Sequence, residues 1–168
     1  EAPLGRQRFH YDWHWFYEYG NGDMGNQGIH QMDVARWYLG ENKIAPRTMS
    51  IGGRLGYDDD GETPNTQLVY HDYDAAPLIF ETRGLPKAKQ YQEDNWGKNM
   101  NSPEEFPEES GISVVVVCEG GSVYTNARGD VKIKDTEGNA IEAPEPFETE
   151  DIYSNFIAAV KSRKTEDL

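Results

Sequence analysis

The chain reads as an α+β protein built on a largely antiparallel open β-sheet, with helices packed on one face. Three observations predict this. Short runs rich in β-branched and aromatic residues are separated by glycine, proline or Asp/Asn turns. Strand patterns follow one another without helices between them, which excludes a parallel doubly wound sheet. Two helical patterns flank this body, one ahead of it and one behind.

In chain order, the first feature is the aromatic segment Y-D-W-H-W-F-Y-E-Y over 11–19. Trp13 and Trp15 alternate with Asp12 and His14, the pattern of an extended stretch with one apolar and one polar face. A glycine cluster follows, and then a helix is expected over 27–39. Its apolar face is Ile29, Met32, Val34, Ala35, Trp37, Tyr38 and Leu39. Asn26 is placed to cap its start and Gly40 to end it. Strands are expected over 47–55, 66–73 and 77–83, with a hairpin turn at 73–77 and a polar connection over 57–65. The stretch 85–111 is long, polar and weakly periodic, and reads as a lid or a mobile excursion. Strands over 112–118, 122–125, 131–134 and 140–141 then form a meander joined by E-G-G, A-R-G-D and T-E-G-N. An amphipathic helix is expected over 150–164.

The whole of 1–168 fits one domain. With 30 acidic against 16 basic residues the net charge is −14. Such a field repels phosphate backbones and anionic lipid surfaces, so neither nucleic acid nor a membrane is an expected partner. No apolar run reaches the roughly eighteen residues of a membrane span. Cys118, the single cysteine, lies in an apolar strand and is expected to be buried. It forms no internal disulfide, and no metal-binding set is legible. The compartment stays open, because a missing disulfide does not exclude the periplasm. The opening E-A-P-L-G-R-Q carries neither an initiator Met nor a signal-like segment. The chain is expected to be a piece of a longer protein.

The stretch G-N-G-D-M-G-N-Q-G-I-H-Q-M-D, 20–33, concentrates the chemistry. Gly20, Gly22 and Gly25 match the spacing of a dinucleotide fingerprint. No apolar strand precedes them, however, and no second βα unit follows, so they are rejected as a cofactor site. Asn26 and His30 are four apart and share a helix face, with Asp33 within reach of the ring. A histidine here is able to exchange a proton with a hydroxyl near neutral pH. An asparagine cap, a packed histidine and a glycine-rich turn account for the same residues equally well. In the aromatic segment, Trp13, His14, Trp15 and Tyr19 are candidates for stacking on and hydrogen bonding to a sugar; core or interface packing is the competing reading.

The pattern G-x-G-x-x-x-[D/N]-x-G-x-H-x-x-D, followed by an apolar helix with Trp, resembles the Gfo/Idh/MocA oxidoreductases. The segments G-G-R-L-G-Y-D-D-D-G-E-T-P-N-T-Q and Y-S-N-F-I-A-A-V-K-S-R-K resemble a bacterial branch of that family, so the similarity covers nearly the whole chain. The resemblance implies the C-terminal domain of that type, whose open sheet carries the substrate site and the oligomer contacts. No Rossmann domain is present in this chain, and NAD or NADP would be held mainly by the missing N-terminal domain. The family's catalytic lysine, in an E-K-P motif, belongs there too. The glycines would form the floor where nicotinamide, substrate and helix start meet.

His30 matches the family's active-site histidine. Asn26 falls where many members carry aspartate; an amide cannot ionise, so its implied role is orientation. Asp33 matches a structural position. The implied reaction is hydride transfer between a nicotinamide and a secondary alcohol of a sugar or cyclitol, in a homo-oligomer joined through the sheet face. The isolated chain would be inactive. Two rivals remain: a redox-neutral, NAD-dependent glycoside hydrolase, and a non-catalytic module for carbohydrate binding or dimerisation.

Overall fold

The computed structural model describes residues 9–56, 58–84, 103–109, 111–145 and 151–164. The fold is mixed α+β. Among the described residues seven strands form two open antiparallel sheets. Strands β1 (Thr48–Gly53), β2 (Thr66–His71) and β3 (Leu78–Arg83) make the first, in that order. Strands β4 (Ser113–Cys118), β5 (Gly121–Asn126), β6 (Val131–Asp135) and β7 (Ala140–Ile141) make the second, a meander as expected. Within each sheet every strand pairs with its neighbour in sequence. Such pairing needs only short connections.

Ahead of the sheets lie α1 (Phe9–Asp12), a 3-10 turn (Trp13–Trp15), α2 (Gly22–Gly25) and α3 (Gly28–Leu39); α4 (Ile152–Ser162) follows them. As far as Trp15 the aromatic segment is therefore helical where an extended stretch was expected. Its alternation gives way to tertiary packing that buries Asp12 and His14 between half-exposed tryptophans. Helix α3 starts one residue later than expected. Its N-cap is Gln27 without a side-chain cap bond, while Asn26 ends α2. Gly40 closes α3 in the left-handed conformation, as expected, at φ 69°. Asp151 caps α4, its carboxylate accepting from the backbone N–H of Tyr153 and Ser154.

Helix α3 contacts both β3 and β4 and so joins the two sheets. On the first sheet, Ala35 and Leu39 pack with Phe80 against buried Ala45, Tyr73 and Leu78. Gly28 allows this approach: a Cβ there would lie 2.6 Å from the Phe80 ring. The apolar side of α3 is only partly used, since Ile29, Trp37 and Tyr38 remain exposed.

On the far face of the second sheet, Phe106 packs on Tyr124 with ring centroids 5.4 Å apart, and both are fully buried. Lys132 and Lys134 pair with Glu109 and Glu108 around it. The end of the 85–111 stretch is thus fastened to the sheet; apart from 103–109 and Gly111, that stretch lies outside the described residues. Cys118 corrects another expectation, being exposed. It pairs with Gly121 at the tip of the β4–β5 hairpin, where the strand has left the core.

His71 sits buried on the inner face of β2, its Nδ1 3.1 Å from the Thr48 hydroxyl. Burial lowers its pKa below the ordinary imidazole value. The unfolded chain therefore takes up a proton before the folded one does. Stability is expected to be full above about pH 6.5 and to fall as the pH drops from there towards the lower folded pKa. Urea midpoints at pH 7.5 and 5 check this. His71→Leu should flatten the slope, and an unchanged slope would remove His71 as its source.

Candidate functional site

The first half of α3 and the β4–β6 end of the second sheet enclose an open cleft of about 530 Å³. Gln27, His30, Gln31 and Val34 form the helix wall. The spacing follows from helical geometry, because positions three, four and seven apart return to one face. Val114 and Thr125, both buried, come from the facing strands, and Asn126, Ala127 and Gly129 from the β5–β6 turn. The described lining carries no carboxylate, lysine or arginine: it presents three side-chain amides, an imidazole, a hydroxyl and small apolar groups. It offers donors and acceptors over a partly apolar floor, as a polyhydroxylated ring requires.

His30 is exposed at this cleft, with its backbone N–H bonded to the Gln27 carbonyl at 3.2 Å. The two glutamines join each other, Gln27 Nε2 donating to Gln31 Oε1 at 3.2 Å. Asp33 is exposed, and among the described residues no ion pair links it to the ring. Asn26 is half-buried at the α2–α3 junction and donates its backbone N–H to the Gly22 carbonyl at 3.0 Å. The neighbouring Gln27, rather than Asn26, lines the cleft.

Trp13, His14, Trp15 and Tyr19 lie apart from this lining. His14 is buried, donating from Nδ1 to the Tyr11 carbonyl at 2.5 Å and packing at 4.5 Å on the Trp15 ring. Trp15 is pinned from outside: its carbonyl accepts from Glu62 and Thr63 N–H, and Arg54 stacks 5.1 Å from its ring. Arg54 is itself held by a two-pronged bond to Asp59, both contacts 2.6 Å. Nearby Asp23 has its carboxyl pKa raised by burial, against the opposing pull of His14 and Arg54. Trp13 and Tyr19 are exposed on the surface. The cluster ties the N-terminal segment to the 54–63 connection.

Reading along the sequence missed the sheet side of the cleft. Thr125 and Asn126 lie some ninety-five residues beyond His30, and only the fold brings them together. Gln27 and Gln31 were within reach, since they flank His30 at helical spacing. Among the described residues no cluster of His, Cys, Asp and Glu is arranged to hold a metal ion, and no helix is long and apolar enough to cross a membrane. Comparison with known protein families, with curated proteins and with solved structures finds no match to this chain.

Proposed function

We propose that the chain is the substrate-binding and oligomerisation part of a nicotinamide-dependent oxidoreductase acting on a secondary alcohol of a sugar or cyclitol. The observation that carries this reading is His30, exposed between two glutamines at a cleft whose described lining has no carboxylate, lysine or arginine. In the oxidative direction the imidazole takes the hydroxyl proton as the carbon gives up its hydride, leaving a ketone. Gln27 and Gln31 hold neighbouring hydroxyls, and Asn26 fixes the direction in which α3 leaves the α2 turn. Three glycines of the 20–33 stretch are packed against the protein itself. Gly22 packs on Thr63, Gly25 on Asn21 and Gly28 on Phe80, with protein atoms already at the places a Cβ would take. NAD or NADP, the hydride acceptor in this reading, is therefore assigned to a part of the protein outside these residues.

His30→Ala in the complete protein tests the proposal. Reduced nicotinamide is followed with a panel of sugars and cyclitols. Turnover should fall at least about 100-fold with the melting temperature unchanged, as expected for loss of a general acid–base group. Turnover equal to the parent's would overturn the assignment. Glycoside cleavage without net reduction would instead place the protein among redox-neutral hydrolases.

A second reading, a dimerisation module, is favoured by the outer face of the first sheet. Met49, Ile51, Leu68 and Ile79 stand there 66%, 76%, 42% and 60% exposed. They share one face by register, Ile51 opposite Leu68 and Met49 opposite Tyr70, with Tyr70 in turn opposite Ile79. Such a patch is the kind that subunit contacts cover.

A further inference from the structure

We infer that Asn126 is the positioning residue of the His30 cleft, fixing the turn that sets its width, and so governs which ring fits. The inference deepens the proposed function and rests on it. The β5–β6 turn supplies Asn126, Ala127 and Gly129 to the cleft. Asn126 Oδ1 accepts from the backbone N–H of Arg128 at 2.9 Å and of Asp130 at 3.1 Å. Its Nδ2 donates to Asp130 Oδ2 at 2.8 Å. The side chain therefore braces the wall, and polar recognition falls to Gln27, His30 and Gln31 opposite and to the Thr125 hydroxyl beside the turn. A ligand in this arrangement meets hydrogen bonds along one edge and a shape limit along the other. That combination selects a neutral ring of limited size.

The next hairpin shows that the brace is a transferable unit. In the β6–β7 turn, Asp135 Oδ1 accepts from Glu137 N–H at 2.9 Å and Asn139 N–H at 2.8 Å. Asn139 Nδ2 donates back to Asp135 Oδ2 at 3.0 Å. The bonds are the same with carboxylate and amide exchanged, and both turns carry glycine at φ 86° in their fourth position. The second turn contributes nothing to the described lining of the cleft.

This pairing supplies the experiment. Asn126→Asp sets two carboxylates against each other and should open the wall. The double variant Asn126→Asp/Asp130→Asn copies the second turn and should restore it. Asn139→Asp does the same damage away from the cleft. The complete protein is titrated with myo-inositol, glucose and methyl glucoside, and binding and turnover are read separately.

Asn126→Asp should weaken binding of the ring ligands by about tenfold or more, the loss falling more heavily on KM than on kcat. The double variant should regain parental affinity, and Asn139→Asp should keep it. No loss in the single variant, no rescue in the double, or an equal loss in Asn139→Asp would overturn the inference while leaving the proposed function intact. Binding without turnover, with this pattern in the affinities, would uphold the inference and overturn the oxidoreductase reading. A parent that binds none of the three overturns both.

Discussion

Replacing Phe106 by alanine is expected to destabilise the protein by about 3–5 kcal/mol, the range for truncating a fully buried phenylalanine. The ring is completely enclosed, packs at a tilt of 40° on the equally buried Tyr124 and lies 4.6 Å from the Lys134 ammonium. Removing it empties the space between 103–109 and the second sheet. The surrounding ion pairs cannot compensate, because Lys132 and Glu108 are well exposed and such pairs contribute little. Phe106→Leu should lose much less, since it refills most of the volume. Urea unfolding of both variants measures the difference. Equal stability of the alanine variant and the parent would mean that Phe106 is not a core residue of the second sheet.

Gly121→Ala should cost about 3 kcal/mol or more, from strain and collision together. Gly121 opens β5 at φ 146°, a conformation that L side chains rarely adopt. A Cβ there would fall 2.0 Å from the Lys134 carbonyl oxygen and 3.0 Å from Asp135 Cα. Those are backbone atoms of the neighbouring strand, so relief requires moving the ladder itself. Gly138→Ala is the control. Its φ is equally positive at 86°, but nothing lies within 4 Å of the added methyl. That variant should lose only the strain, about 1 kcal/mol. Thermal or urea unfolding compares the two directly, and equal losses would refute the collision.

Local chemistry made the strands legible. The strands expected over 47–55, 66–73, 77–83, 112–118, 122–125, 131–134 and 140–141 match β1 to β7 in order, to within two residues at either end. Alternating β-branched runs between turn residues leave little choice of structure. The division into two sheets was not legible, because nothing in the sequences of β3 and β4 says that these two successive strands stay unpaired while every other successive pair joins. The stretch around Trp13 misled for a related reason. Period-two alternation states a local preference, and the packing of His14 among Tyr11, Trp13 and Trp15 overrode it.

The candidate site divides the same way. His30 and its helix were readable from spacing, while the facing wall required the long-range contact of α3 with β4. Cys118 showed the limit of composition. An apolar run predicted its burial, but its position beside a hairpin tip decided its exposure.

The junction made by α3 also has a bearing on the order of folding. Each meander closes only short loops, and such contacts form early and at low entropic cost. Bringing α3 to β4 closes a loop of more than seventy residues, from Leu39 to Ser113. On loop-closure grounds it comes last. The His30 cleft exists only once that closure is made, because its two walls belong to the two sides of it. A chain stalled before this step would hold both sheets, with nearly all their backbone pairing, and no binding site at all.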